Sequence, residues 1–281
     1  MNIELNALVS SDWLFKHLNH PNLIILDASP SDNKSNLIPE FTDIRVSGAR
    51  FFDIEKVFFD KHSTIANMIP SSEDFEKSCR NLGINKNSII VVYDNLGIYM
   101  SPRVWWMFKT MGHDQIAVLD GGLTAWKNMG YPIEAIKFRT YQEGDFKASY
   151  QSQLVRNSTF ILEKHMSDQC TILDARGAGR FTGALPEPRP RMESGHIPNS
   201  ENLPFKEVLR DGYMKSKEEL ESILSTFDVK KNQELIFTCG SGVTACIILL
   251  ACSLVFENKK SLFDGSWSEW GQEGKFPVEE G

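Results

Sequence analysis

Short apolar runs recur along the chain and alternate with segments of helical period. Residues 23–26, 88–93 and 116–119 form one set, and 171–173, 234–238 and 261–263 form a second. These runs are continuous rather than alternating, as expected of strands covered on both faces. Between them, 72–81 opens on Ser and acidic residues and stops at Gly83, and 217–227 has the same character; both predict helices. Strands separated by helices imply an α/β fold in which a mostly parallel sheet is flanked by helices on both faces.

The pattern occurs twice. Ile24-Ile25-Leu26-Asp27-Ala28 is matched by Thr171-Ile172-Leu173-Asp174-Ala175, 147 positions on. The stretch 118–126 (VLDGGLTAW) is matched by 262–270 (LFDGSWSEW), 144 positions on. A weaker pair is 46–49 with 197–200. The order is kept and the offset barely drifts, so two copies of one domain are predicted; the period is too long for a solenoid. A length of 281 residues accommodates them. The expected division is 1–138, a linker at 139–155 that begins polar and without period, and 156–281.

Composition narrows the function. Lys+Arg 30 against Asp+Glu 37 gives a net charge of -7, which argues against a nucleic-acid binder. Hydrophobic residues make up 41%, enough for packed cores. Five scattered cysteines without a Cys-x-x-Cys pair fit neither a disulfide scaffold nor the commonest zinc and dithiol sites. Reduced thiols and a cytoplasmic setting are expected. The first 18 residues lack the basic and apolar regions of a signal peptide, and the apolar run 245–256 is too short to span a membrane.

The chemistry points to residues 234–254, ELIFTCGSGVTACIILLACSL. A strand ends at Thr238, Cys239-Gly240-Ser241-Gly242-Val243-Thr244 forms the turn, and an apolar helix starts near Ala245. Ligands of open parallel sheets bind at the carboxyl ends of strands. The two glycines are expected to take positive torsions and to leave amides uncovered, making an anion nest backed by the helix dipole. Such a cradle suits a sulfur anion or an anionic substrate. Cys246 and Cys252 lie inside the apolar helix, and Cys79 and Cys170 lack a Gly-rich loop; these four are read as inert. A phosphate loop would need Gly-Lys-Ser/Thr, and the Lys is missing. A cysteine phosphatase would need Arg where Ala245 stands.

On these residues the chain resembles the tandem rhodanese-domain sulfurtransferases over essentially its whole length. CGSGVTA is similar to the loop of the members that use mercaptopyruvate. Members that use thiosulfate carry charged residues after the Cys, as in CRxGxT, and Gly240-Ser241 offers none. Ser101 to Phe108, 120–126, Ala175-Arg176, Arg180-Phe181, Glu187-Pro188-Arg189 and Gly195-His196-Ile197-Pro198 match further family segments. The resemblance implies two rhodanese-like domains. The first would be silent, because Asp94 stands where the second has Cys239. The implied activity takes sulfur from 3-mercaptopyruvate through a persulfide on Cys239 to a thiol, a thioredoxin-like protein or cyanide, and releases pyruvate. Arg180 and Arg189 would bind the substrate carboxylate and keto oxygen. No metal or organic cofactor is implied, and neither a nucleic-acid nor a membrane partner. The alternatives are thiosulfate as donor, or a sulfur-carrier or docking module without turnover. Two departures from the family stand out: Arg45 and Asn67 occupy positions where His is frequent. A relay from His to Ser241, suggested for some members, has no base at Arg45. Ser241 could still donate a hydrogen bond to the sulfur or the leaving oxygen. Arg176 and His196 are read as structural.

Overall fold

A computed structural model describes residues 5–33 and 35–281; the leader reading at the start of the chain falls partly outside the described residues. The chain forms two compact units. One runs to Lys61 and adds Ile69–Gln151 and Asp211–Met214; the other holds His62–Met68, Ser152–Arg210 and Lys215–Gly281. The division near the middle therefore falls between Gln151 and Ser152 instead of across 139–155. Most of the polar stretch read as a linker is tied to the first unit. Phe146 is fully buried and its ring meets those of Phe75 and Phe108. Gly144 and Gln151 donate backbone hydrogen bonds to Arg80 and Thr110. One apolar residue makes no period in a sequence, yet an aromatic ring seated in an aromatic cluster is enough to anchor the segment.

In the first unit the elements are β1 (Leu8–Val9), α1 (Ser11–His17), β2 (Leu23–Asp27), β3 (Ile44–Val46), β4 (Arg50–Phe51), α2 (Ser72–Asn81), β5 (Ile89–Tyr93), α3 (Ser101–Thr110), β6 (Ile116–Leu119), α4 (Gly122–Asn128) and β7 (Ile133–Ala135). Five strands form a parallel sheet in the order β1-β6-β5-β2-β4. The α2 helix starts where predicted because Ser71 caps it, accepting from the Asp74 N–H at 3.1 Å.

The second repeat continues with β8 (Val155–Arg156), α5 (Ser158–Lys164), β9 (Cys170–Asp174), α6 (Ala178–Phe181), β10 (Glu201–Asn202), β11 (Leu209–Arg210), β12 (Tyr213–Met214), α7 (Lys217–Leu224), β13 (Glu234–Thr238), α8 (Ala245–Ser253), β14 (Lys260–Phe263) and α9 (Ser266–Trp270). Its sheet is also parallel, in the order β10-β9-β13-β14-β8. Strand for strand this is the order of the first unit. The α7 helix begins with a Ser216/Glu219 capping box. It stops before the predicted 227, where Ser225 and Thr226 hydroxyls donate back to Ser222 and Ile223 carbonyls.

The repeat is also legible in the cores. Ile25, Val91, Leu119, Leu123 and Trp126 of the first core stand at the positions of Ile172, Ile236, Phe263, Trp267 and Trp270 in the second. Trp126 donates its indole N–H to Pro132 O and Trp270 to Pro277 O. Each buried side chain of this size contributes roughly 2–3 kcal/mol of apolar transfer. The α8 helix is buried from Ala245 to Cys252, which explains its lack of a polar face. Among the described residues no helix is long and apolar enough to cross a membrane.

Candidate active site

In the second unit β13 lies between β9 and β14, so its carboxyl end opens mid-sheet. Cys239 follows directly and is only 1% exposed. Its N–H donates to Ser266 Oγ at 3.3 Å, and its carbonyl accepts from the Trp267 N–H at 2.9 Å. Ser266 Oγ in turn donates to Phe263 O at 2.8 Å. Ser266 holds φ +48, a costly torsion for a residue with a Cβ; the first repeat has Gly122 there, at φ +56. A side chain kept at a position where glycine would be easier indicates that its hydroxyl is wanted. Sequence reasoning missed Ser266, although the signal was present in the change from DGG to DGS between the repeats.

Only one of the two loop glycines takes a positive torsion: Gly242, at φ +76. Gly240 serves close approach instead. A Cβ on it would lie 3.4 Å from Arg180 Nη2 and 3.9 Å from Arg189 Nη1. Val243 is buried, and Thr244 precedes α8 without any side chain capping its first amides. Burial favours the neutral form of three of the other thiols. The Cys252 thiol is pushed up to about 12, partly opposed by Lys260. Burial raises the Cys79 and Cys170 thiols too, helped by Glu76 and Glu234.

The two predicted arginines come together at the loop. Arg189 Nη1 donates to Gly240 O at 3.0 Å and to Ser268 Oγ at 2.8 Å. Arg180 is aimed by the buried carboxylate of Glu187, which accepts from its Nε at 3.0 Å and from its Nη2. The same carboxylate accepts from Arg176 Nη1 at 3.0 Å. Arg176 also bonds Asp174 at 2.6 Å and Gly195 O at 2.8 Å and lies over the Trp267 ring. It is a structural cation, as read. Arg180 keeps 29% of its side chain exposed. His196 is structural too: its Nδ1 lies 2.9 Å from Phe181 O and its ring stacks on Phe181. In the sequence Glu187 stands out only as part of a motif, because its two arginine partners give no local signal.

Asn67 belongs to the second unit by its contacts. Its Nδ2 donates to Ser241 Oγ at 3.0 Å, and it adopts φ +63, a region asparagine tolerates. The Ser241 oxygen is thus an acceptor toward Asn67. The residue seen in sequence only as a missing His is a neutral amide on the serine.

The equivalent turn of the first unit shows what this loop geometry holds. Asp94 takes the place of Cys239. Its carboxylate accepts N–H groups from Leu96, Tyr99, Met100 and Ser101 at 2.8–3.0 Å and the Ser101 hydroxyl at 2.7 Å. Burial pushes the Asp94 carboxyl up, and the bonds from Ser101, Tyr99 and Leu96 oppose that. Leu123 N–H donates to Asp94 O just as Trp267 N–H does to Cys239 O. The turn after this strand is a nest of amides filled, in the first unit, by a resident carboxylate.

A family described as the rhodanese-like domain matches residues 10–129 and 160–273. The chain belongs to that family and is a tandem rhodanese-domain sulfurtransferase. It is 37% identical over 276 residues to the 3-mercaptopyruvate sulfurtransferase of Escherichia coli K12, covering 96% of this chain and 97% of that protein. It is 40% identical to the thiosulfate sulfurtransferase of Mus musculus, covering 94% and 91%. The crystal structure of SseA from Escherichia coli superposes with a TM-score of 0.82 at 34% identity, over 94% of this chain and all of that one.

Proposed function

We propose that the chain is a 3-mercaptopyruvate sulfurtransferase working through a persulfide on Cys239. The observation that carries this reading is the convergence of two guanidinium groups on Gly240, in a loop that adds no further charge between Cys239 and Ala245. An α-keto acid needs one clamp for its carboxylate and one donor for its keto oxygen, and Arg supplies both in fixed geometry.

In the proposed cycle the Cys239 thiolate attacks the sulfur of 3-mercaptopyruvate. The carbon–sulfur bond breaks, and its electron pair passes into the enolate of pyruvate. That enolate takes the proton the donor sulfur carried. The persulfide anion left on Cys239 is stabilised by loop amides and the start of α8, as the Asp94 carboxylate is in the first unit. Arg180 and Arg189 hold the carboxylate and ease charge on the keto oxygen. Ser241, oriented by Asn67, donates to the sulfur or the enolate oxygen. The thiolate of a small thiol or a thioredoxin-like protein, or cyanide, then attacks the outer sulfur and restores Cys239. The first unit takes no part, since Asp94 cannot carry sulfur. All five cysteines are free thiols, in keeping with a cytoplasmic setting.

Cys239→Ser should abolish pyruvate release from 3-mercaptopyruvate; full activity in that variant rejects the assignment. Arg180→Ala and Arg189→Ala should each cost about 2–5 kcal/mol in kcat/KM for the keto acid. Thiosulfate is the second reading, because whole-chain identity to a thiosulfate sulfurtransferase is as high as to the mercaptopyruvate enzyme. A kcat/KM favouring thiosulfate over 3-mercaptopyruvate would select it.

A further inference from the structure

The two arginines at the Cys239 loop are held by different chemistry. Arg180 leans on a carboxylate: Glu187 accepts from its Nε and its Nη2, so its charge is shared with a resident anion. Arg189 leans on neutral oxygens. Its Nη1 donates to Gly240 O at 3.0 Å and to Ser268 Oγ at 2.8 Å, and among the described residues it has no carboxylate partner. A guanidinium placed by uncharged acceptors keeps its whole charge for a ligand.

Ser268 is the hub of that arrangement. Its hydroxyl donates to Gly240 O at 2.6 Å, while the same oxygen accepts from Arg189. A hydroxyl can do both at one atom. The Ser268 N–H also donates to Gly240 O, at 3.0 Å. That carbonyl therefore meets three donors with two lone pairs, and is a poor sole anchor for a long side chain. Ser268 Oγ supplies the second acceptor. Because its O–H is committed to Gly240, its lone pairs are turned toward the guanidinium. Ser268 is 8% exposed, so water has little access to take over either bond. The backbone is anchored independently of the hydroxyl: the N–H groups of Trp267 and Ser268 hold the carbonyls of Cys239 and Gly240 at 2.9 and 3.0 Å.

We propose that Ser268 is a positioning residue for donor binding, whose hydroxyl fixes Arg189 beside Gly240 and so preorganises it for the carboxylate of the keto acid. The inference rests on the reading of Arg189 as a substrate-binding residue. Ser268 acts through that arginine and not on the reacting sulfur.

The test compares Ser268→Ala, Ser268→Thr, Arg189→Ala and the Arg189→Ala/Ser268→Ala double variant in the full chain. It reads kcat and KM for 3-mercaptopyruvate and the inhibition constant of pyruvate, which keeps the carboxylate and keto oxygen but has no sulfur to give. Ser268→Ala should raise KM and the pyruvate constant about tenfold. Its kcat should change by less than about twofold, as expected when binding and not chemistry is weakened. Ser268→Thr keeps the hydroxyl, and the first repeat has Thr124 at this place; both constants should return to within about twofold of the parent. With Arg189 already lost, Ser268→Ala should add nothing. The proposal is overturned if Ser268→Ala lowers kcat or the melting temperature and leaves both constants unchanged, since the hydroxyl would then serve only the fold. It is equally overturned if the two effects multiply in the double variant, or if Ser268→Thr is as impaired as Ser268→Ala. Unchanged constants in Ser268→Ala beside raised ones in Arg189→Ala reject the role of Ser268 alone. Unchanged constants in Arg189→Ala reject the reading of Arg189, and this inference with it.

Discussion

Ser266 and Glu187 determine how the reactive groups are held, and neither needs to touch substrate. Ser266 fixes the amide of Cys239 from a strained torsion. Ser266→Gly removes one hydrogen bond and relieves that strain together. The expected result is a kcat about fivefold lower, near 1 kcal/mol, with a melting temperature no lower than that of the parent. A drop in both would mean that the hydroxyl serves only the fold. Glu187 balances two guanidinium groups with a carboxylate that is 1% exposed. Glu187→Gln keeps the shape and removes the charge. Stability should fall by about 3–5 kcal/mol, read as the shift in urea midpoint, and the KM for the keto acid should rise as Arg180 loses its orientation.

The strand-to-helix turn is the element on which the two repeats differ in chemistry while sharing geometry. Gly97 and Gly242 both take positive torsions, at φ +92 and +76, yet one turn holds a carboxylate and the other a thiol. Asp94→Cys in a Cys239→Ser background places a thiol in the first turn. It should still release no pyruvate, because residues 29–43 of the first unit contain no arginine to match Arg180 and Arg189; pyruvate release would show that the turn alone suffices. In the second unit, Asn67→Asp keeps size and tolerance of φ +63 but turns a donor to Ser241 into an acceptor. The Ser241 hydroxyl would then be drawn to the new carboxylate. A loss of about tenfold in kcat/KM, with thermal stability unchanged, is expected in the mercaptopyruvate assay.

In the first unit as a body, one buried histidine links stability to pH. His113 of the first unit is 6% exposed, packs against Phe108 and Phe146, and has Nε2 without a partner among the described residues. Burial lowers its pKa below the ordinary 6.5, and bonds involving the Ser88 and Gln115 backbone oppose that. The unfolded chain therefore takes up the proton first as pH falls. Stability is full above about pH 6.5 and declines below it. His113→Phe should flatten that decline, seen by comparing urea midpoints at about pH 5 and about pH 8; an unchanged slope would assign the effect to other groups.

Sequence alone determined the duplication, because two buried parallel sheets demand the same continuous apolar runs in the same order. It also determined the loop at Cys239, since a strand, two glycines and an apolar helix are local signals. Arg180 and Arg189 came from resemblance rather than from pattern, for an arginine in a loop looks the same whether it binds substrate or water. Tertiary structure alone decided what holds these groups. Ser266 reaches Cys239 across 27 positions, Arg189 reaches Ser268 across 79, and Asn67 reaches Ser241 across 174. Polar contacts at such separations leave no periodicity to read, because their partners are chosen by where the folded chain brings them and not by spacing along it.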